Sequence, residues 1–302
     1  MLLAGASGGA QFIPPRADAP QGTERFDTLA LPPGGLHAET PIAGETITGP
    51  AYTRELIRVQ WRAGDPIDLY IIRPAGVAKP PALLYLYGFP SEADRFRSDQ
   101  FCTLVTKDGY AAVGFVSALT GQRYHDRPMK QWFVSELPEA LTTTVHDVQM
   151  ILDYLAGRGD FDMSRIGMFG QGSGGAIALL AAATDSRIKA VDVMDPWGDW
   201  PEWLARSPQI PVAERSALLT PAFLAAAAPL DPVRVLPRLT APVRVQESLF
   251  NLSMPAQARA TVEAAVPKAT GSVVEYPTAE EYRQQVSDHA RMLVWLEQHT
   301  RP

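Results

Sequence analysis

The chain has 302 residues, of which 46% are hydrophobic and 20% charged, so it can bury a sizeable core and is not a disordered chain. Its net charge is -6 and it contains no run or stripe of Lys and Arg, which excludes a nucleic acid or an anionic membrane surface as an electrostatic partner. No segment approaches the ~20 apolar residues that a membrane-spanning helix needs.

Cys102 is the single cysteine of the sequence, so no internal disulfide can form. It lies in DQFCTLVTKDGY, an apolar helical pattern that predicts a buried, unreactive thiol. The sequence has no His-x-His motif and no cysteine cluster, so we expect neither a bound metal nor another cofactor.

Residues 1–49 are rich in Gly, Pro, Ala and Thr and show no hydrophobic period, which predicts a flexible leader that drapes over the domain or frays. The opening, MLLAGASGGAQFIPPRADAP, is small and apolar and then rich in proline. Such a stretch fits the remnant of a secretory signal as well as a disordered leader. Export and residence in the cytoplasm are therefore equally open.

The pattern from residue 50 to residue 302 predicts one α/β domain. Two alternating runs, ELIRVQW and PIDLYIIRP, flank RAGDP and predict an antiparallel hairpin. The continuous apolar runs PALLYLYGF and YAAVGFVSA predict buried parallel strands. Between them, SDQFCTLVTKDG has helical spacing that stops at Gly109.

The second half of the chain continues the alternation of strands and helices. LTTTVHDVQMILDYL predicts an amphipathic helix with His146 and Asp147 on its surface. Four further strands are predicted at RIGMFG, IKAVDVM, PVRVQESLF and GSVVEYP, and DHARMLVWLEQH predicts a closing helix. Right-handed crossovers between such units give a mostly parallel, eight-stranded sheet with helices on both faces.

An insertion at about 196–241 separates predicted strands six and seven. It is rich in proline and too short to form a core of its own, which predicts a small helical lid over the carboxyl ends of the strands. Trp197, Trp200 and Trp203 either line a substrate pocket there or anchor the lid on the sheet.

The stretch RIGMFGQGSGGAIALL predicts a strand, a sharp glycine turn and a helix, an arrangement that commonly presents a nucleophilic serine. With Gly172 at the apex of the turn, the residues two before and two after are Gly170 and Gly174, which suits so tight a bend. With Ser173 at the apex, Gln171 would crowd the end of the strand. Steric logic favours Gly172, which has no hydroxyl, whereas a shift of one residue would present the hydroxyl of Ser173.

The hairpin, the alternating units, GQGSGG and the terminal helix together resemble the α/β-hydrolase superfamily, in its prolyl-oligopeptidase-like and dienelactone-hydrolase-like branches. PLDPVRVLPRLTAPVRV is similar to the segment that leads into their seventh strand. The resemblance covers about Glu55 to the end of the chain. It implies the α/β-hydrolase fold and hydrolysis of an ester or amide bond in a small molecule or peptide.

The resemblance also implies a histidine just before the last helix, and His289 in QVSDHARMLVWL occupies that place, although a histidine that only caps the helix is the other interpretation. The acid slot after strand seven falls on Asn251, which can orient an imidazole but cannot stabilise its charged form. Glu247 lies nearby, too early on the strand. An acid after strand six would be Asp195, which also suits an Asp-Pro turn.

An oxyanion loop is implied after the third strand, where many relatives read His-Gly and this chain has Tyr87-Gly88. Main-chain N–H groups of Phe89 and Gly174 would hold the oxyanion, and Tyr87 would add its phenol or simply pack. RYHDRP, after the fourth strand, brings His125 to the mouth of the site, either for substrate contact or in an exposed loop with local ion pairs.

Two functions are compatible with these residues. In the first, the chain is a serine-type hydrolase in which Ser173 attacks, His289 takes the proton, and Asp195 or Asn251 orients the imidazole. In the second, the apex, acid slot and oxyanion loop have changed together, and the chain is a catalytically degenerate fold that binds a ligand or acts as a scaffold. The sequence names neither the substrate nor the oligomeric state.

Overall fold

The computed structural model describes Leu29, Leu31, Leu36 and residues 39–61, 65–88, 93–119, 137–286 and 289–301. Within these residues one sheet has nine strands in the order β1-β2-β3-β5-β4-β6-β7-β8-β9. The strands are β1 (Ile42–Thr48), β2 (Tyr52–Val59), β3 (Ile67–Pro74), β4 (Pro81–Leu86), β5 (Ala111–Gly114), β6 (Asp162–Gln171), β7 (Ile188–Met194), β8 (Val243–Ser248) and β9 (Gly271–Tyr276).

The sheet is antiparallel at one side and parallel over the rest. β2 and β3 pair antiparallel from Tyr52 opposite Pro74 to Val59 opposite Ile67, which confirms the predicted hairpin. β4 pairs in parallel with both β5 and β6, and β6 to β9 follow in parallel. Because parallel strands end at one edge, the loops after β4, β6, β7 and β8 meet there.

Helices cover both faces of the sheet. They are α1 (Asp99–Thr106), α2 (Leu137–Arg158), α3 (Ser173–Thr184), α4 (Trp200–Arg206), α5 (Arg215–Leu218), α6 (Pro221–Ala227), α7 (Pro232–Val235), α8 (Ala256–Ala265), α9 (Ala279–Val286) and α10 (His289–Thr300). Side chains of β4 alternate between the two layers: Leu84 packs with α2 and α3, and Leu83 with α1 and α10. None of the helices in the described ranges combines the length and apolar character that crossing a membrane requires.

The sheet begins inside the segment that the sequence assigned to the leader. β1 pairs antiparallel with β2 at its edge, and its residues are almost all exposed. A strand exposed on both faces has no hydrophobic alternation, so the sequence gives no sign of it. The sheet therefore has nine strands in the described part of the chain where eight were predicted, and its edge strand lies before residue 50.

Helix α2 is not the surface helix that its pattern predicted at its centre. His146 and Asp147 are fully buried, and the indole nitrogen of Trp61 donates to Asp147 Oδ1 at 2.9 Å. Trp61, which follows β2, thus covers this part of α2, and the hydrophobic period within a helix cannot reveal a contact from a distant loop. The buried thiol predicted for Cys102 is confirmed, and burial raises its pKa.

The insertion between β7 and β8 is helical, as predicted, and contains α4 to α7. Asp231 holds its two ends together, because its carboxylate accepts from the main-chain N–H groups of Asp199 and Trp200, each at 3.0 Å, and caps α7 through Val233 at 3.1 Å. One buried side chain therefore fixes where α4 begins relative to α7.

Candidate active site

Gly172 forms the apex of the turn between β6 and α3, residues 170–174, which we call the elbow. Its backbone angles are φ 56° and ψ −118°, a region that side chains disfavour. Its N–H donates to Met194 O at 2.9 Å, and its carbonyl accepts from Trp197 N at 3.2 Å. The turn is therefore hydrogen-bonded to the end of β7 through the N–H of Gly172 and to the segment after β7 through its carbonyl.

Steric contacts at the flanking positions settle the register. A Cβ on Gly170 would overlap the carbonyl oxygen of Gly174, and one on Gly174 would overlap that of Leu86. A Cβ on Gly88 would lie 2.9 Å from Gln171 O. The bend tolerates no side chain two residues before or after Gly172, so the backbone does not adopt the alternative register with Ser173 at the apex.

Ser173 is the first residue of α3 and is fully buried. Its hydroxyl belongs to the residue after the apex. The first N–H groups of a helix have no partner within it, and they carry its positive end. With Gly172 at the apex, the main-chain N–H that directly follows the apex is that of Ser173, whereas the sequence-based expectation named Gly174.

Tyr87 packs into an aromatic cluster beside the elbow. It is buried, and its ring centroid lies 5.9 Å from Phe96 and 5.7 Å from Phe169. The guanidinium carbon of Arg95 lies 4.6 Å from its ring centroid. Burial raises the pKa of the Tyr87 phenol, and Arg95 only partly opposes this, so the phenol stays protonated.

Asp195 and Asn251, the two alternatives for the acid, are bonded to each other. Asp195 Oδ1 accepts from Ser248 N at 2.6 Å, and its Oδ2 accepts from Asn251 Nδ2 at 2.9 Å. Asn251 Oδ1 in turn accepts from Ser253 N at 3.0 Å. Both side chains therefore link the end of β7 to the loop after β8. Asp195 itself has φ 46°, an unusual conformation for a residue with a side chain.

Glu247, which sequence spacing placed too early on the strand, is a fully buried carboxyl group one residue from the end of β8. Its pKa is raised to about 9, first by burial and then by the charge of Asp195, while Arg259 opposes both. Arg259 Nε lies 3.5 Å from Glu247 Oε2. Arg259 Nη2 also donates to main-chain carbonyls of the following loop, those of Ser248, Asn251 and Met254.

The three tryptophans of the insertion are buried and stacked together. The ring centroids of Trp197 and Trp203 lie 4.5 Å apart, and Trp200 meets Trp203 edge-on at 5.8 Å. Trp200 Nε1 donates to Leu230 O at 2.9 Å, so Trp200 anchors the insertion internally. Trp197 lies nearest the elbow, because a Cβ on Gly172 would lie 3.4 Å from its Nε1.

Tyr282 of α9 lies beside the loop that carries Asn251, and the sequence analysis did not single it out. Its ring centroid lies 5.9 Å from Phe250 and 5.8 Å from Tyr276. Burial raises its pKa, the Asp195 carboxylate raises it further, and Arg95 lowers it. The charges of both Asp195 and Arg95 therefore act on the phenol of Tyr282. An aromatic residue four positions before a glutamine-rich helix end gives no such signal in sequence.

Some predicted site residues cannot be placed. Phe89 and His125 lie outside the described residues. His289 begins α10, but its side chain lies outside the described part of the chain. Among the residues that are described, no group of three or more His, Cys, Asp or Glu could hold a metal ion.

Comparison with solved structures identifies the architecture. An acetyl xylan esterase from Paenibacillus sp. R4 superposes with a TM-score of 0.66 at 17% identity, covering 87% of this chain and 89% of its own. Acetyl xylan esterase 1 from Thermoanaerobacterium sp. JW/SL YS485 gives 0.67 at 14% identity, covering 84% and 88%. The 2,6-dihydroxy-pseudo-oxynicotine hydrolase gives 0.61 at 20% identity, covering 84% and 69%.

The chain has the α/β-hydrolase fold. No protein-family model and no curated protein sequence matches it. The predicted fold class is thus confirmed. In this α/β-hydrolase fold, β1 is an additional antiparallel strand at the edge, and the insertion follows the strand that carries Asp195.

Proposed function

We propose that this chain hydrolyses small-molecule carboxylic esters at the Gly172 elbow. The observation that carries the proposal is the preserved turn, in which Gly170, Gly174 and Gly88 leave no room for side chains around the apex. A sharp strand-to-helix turn of this kind is the one that presents the reactive group at the top of the sheet in α/β-hydrolases. The names of the structural neighbours support the ester as the bond that is cleaved, since two of them are acetyl xylan esterases.

In the proposed reaction, the carbonyl of the ester lies over Gly172. The N–H of Ser173 and a second N–H from the loop after β4, for which Phe89 is the candidate, donate to the developing oxyanion. The positive end of α3, a helix of 12 residues, adds to this stabilisation. His289 acts as the general base and then protonates the leaving alcohol.

The attacking oxygen has two candidate sources. The first is the hydroxyl of Ser173, which would have to leave its buried place after the apex and would form an acyl-enzyme that water then hydrolyses. The second is a water molecule above Gly172, deprotonated by His289, which attacks directly and leaves no covalent intermediate. The second route needs no change in the backbone, because Gly172 stays at the apex, where even an added Cβ would be in ordinary contact with Trp197 Nε1 at 3.4 Å.

Pre-steady-state turnover of p-nitrophenyl acetate separates the two routes. If Ser173 attacks, the wild-type chain shows a burst of p-nitrophenolate, and Ser173→Ala abolishes both the burst and the turnover. If water attacks, no burst appears, and Ser173→Ala retains turnover within roughly tenfold, because its main-chain N–H remains. Absence of any turnover above the uncatalysed reaction contradicts the proposed function.

A second candidate function is ligand binding without hydrolysis. Its basis is Gly172, which brings no side-chain oxygen to the apex, and Asn251, whose amide donates to Asp195. The same main-chain donors would then hold the carbonyl or carboxylate oxygen of a ligand. Saturable binding of acetate-sized or larger acids by a chain that hydrolyses no ester would support this second function.

A further inference from the structure

The loop after β8 carries exposed apolar side chains next to the elbow. Leu249 is 37% exposed, Phe250 41% and Leu252 78%. Between them, Asn251 is turned inward by its hydrogen bond to Asp195. Phe250 and Leu252 therefore lie on the outer side of the loop. Apolar side chains that are exposed together, unlike scattered ones, commonly mark a binding surface.

This surface lies beside the elbow. Phe250 contacts Tyr282 edge-to-face, with an angle of 69° between the rings. Phe250 directly precedes Asn251, whose amide donates to the carboxylate of Asp195 at the end of β7. The main chain at the end of β7 also accepts from the N–H of Gly172 at 2.9 Å. The pair of Phe250 and Tyr282 therefore lies beside the strand end that holds the elbow.

We propose that Phe250, Leu252 and Tyr282 form a subsite for an aromatic group of the ester, a specificity that rests on the proposed function. Two rings held edge-to-face present both a ring face and a ring edge, the arrangement that a third aromatic ring packs against most favourably. The exposed Leu252 adds apolar area beside them. An acetyl or methyl group alone would leave this surface uncovered, so the aromatic group belongs to the larger half of the substrate.

Equilibrium binding of 1-naphthol, the alcohol half of 1-naphthyl acetate, tests the subsite without requiring catalysis. Fluorescence titration of the wild-type chain is compared with Phe250→Ala, Leu252→Ser and the matched control Ile42→Ser. Ile42 is 66% exposed on β1, at the edge of the sheet far from the elbow. We expect Phe250→Ala and Leu252→Ser each to weaken binding by roughly 2- to 10-fold, and Ile42→Ser to leave it unchanged.

Tyr282→Phe keeps the ring and is expected to bind 1-naphthol as the wild type does, whereas Tyr282→Ala is expected to bind it as weakly as Phe250→Ala. Equal affinity of all variants overturns the subsite.

The ratio of kcat/KM for 1-naphthyl acetate to that for methyl acetate is then measured in the same proteins. If binding depends on Phe250 while neither ester is hydrolysed, the proposed function fails and the subsite stands. If both esters are hydrolysed and the ratio of kcat/KM values is the same in the wild type and in Phe250→Ala, the subsite fails and the proposed function stands.

Discussion

The side-chain amide of Asn251 donates to the carboxylate of Asp195, with Nδ2 2.9 Å from Oδ2. This bond joins the two residues that the sequence offers as candidates for the catalytic acid, so each side chain holds the other in place. Asp195 also accepts from the N–H of Ser248, which fixes its carboxylate at the end of β8. Asp195 therefore holds the loop after β8 in place through its bonds to Ser248 and Asn251.

Asp195→Asn is expected to lower the free energy of unfolding by about 1–3 kcal/mol, because hydrogen bonds to a charged acceptor are replaced by weaker ones. Asparagine tolerates positive φ, so the change removes charge without adding backbone strain at φ 46°. Urea unfolding measures the loss. Asp68→Asn is the control, because Asp68 is exposed in its ion pair with Arg58 and should contribute about 0–1 kcal/mol. Equal losses at the two positions would contradict the account.

Gly174→Ala is expected to be among the most damaging substitutions in the chain. Its Cβ would overlap the carbonyl oxygen of Leu86, and main chain cannot move aside as a flexible side chain can. We expect a loss of more than about 3 kcal/mol or failure to fold. Gly157→Ala, in α2 with no atom near its added Cβ, is the matched control and should be neutral or stabilising by up to about 1 kcal/mol. A Gly174→Ala chain that unfolds at the wild-type urea concentration would refute the steric argument.

Gly172→Ala and Gly172→Ser separate backbone strain from chemistry. Both place a Cβ at φ 56°, which costs about 1–3 kcal/mol, and both find ordinary space below Trp197. Only the serine adds a hydroxyl at the apex. We expect Gly172→Ser to give a larger burst of p-nitrophenolate from p-nitrophenyl acetate than Gly172→Ala does. Identical progress curves for the two variants would show that the apex does not face the substrate.

The raised pKa of Glu247 predicts that the free energy of unfolding falls as pH rises. Its folded-state pKa of about 9 lies above the ordinary carboxyl value of 4.5, so the folded chain binds one more proton than the unfolded chain between these values. Stability from this group is present in full below the unfolded-state pKa and is lost by up to about 1.4 kcal/mol per pH unit as pH rises through the window. Glu247→Gln should flatten that slope between pH 6 and 9.

Urea unfolding at several pH values measures the slope for the wild type and for Glu247→Gln. Glu45→Gln, at an exposed position of β1, serves as the control and should keep the wild-type slope. A Glu247→Gln chain whose stability changes with pH as steeply as that of the wild type would show that another buried group is responsible.

The sequence predicted the architecture because its signals are strong where burial is asymmetric. The apolar run of β4, the glycine pattern around Gly172 and the alternation of β2 and β3 each depend on local sterics or period. Prediction did not reach β1, because both faces of that strand are exposed and no period is imposed on it.

The sequence gives the positions of the candidate site residues along the chain but not the contacts that these residues make. Spacing located Asp195 and Asn251, yet their bond depends on the parallel pairing of Met194 with Gln246, which spacing within one strand does not encode. The burial of His146 and Asp147 depends likewise on Trp61 from a distant loop. Tyr282 meets Phe250 only because α9 returns to the end of β8.

The most direct test of the proposed ester hydrolysis is the kcat/KM for p-nitrophenyl acetate of wild type and His289→Ala, purified in parallel. Both routes to the attacking oxygen require the imidazole as base, so we predict turnover by the wild type and a loss of roughly 10²-fold or more in the variant. Equal values for the two proteins, or no wild-type turnover above that of buffer, would contradict it.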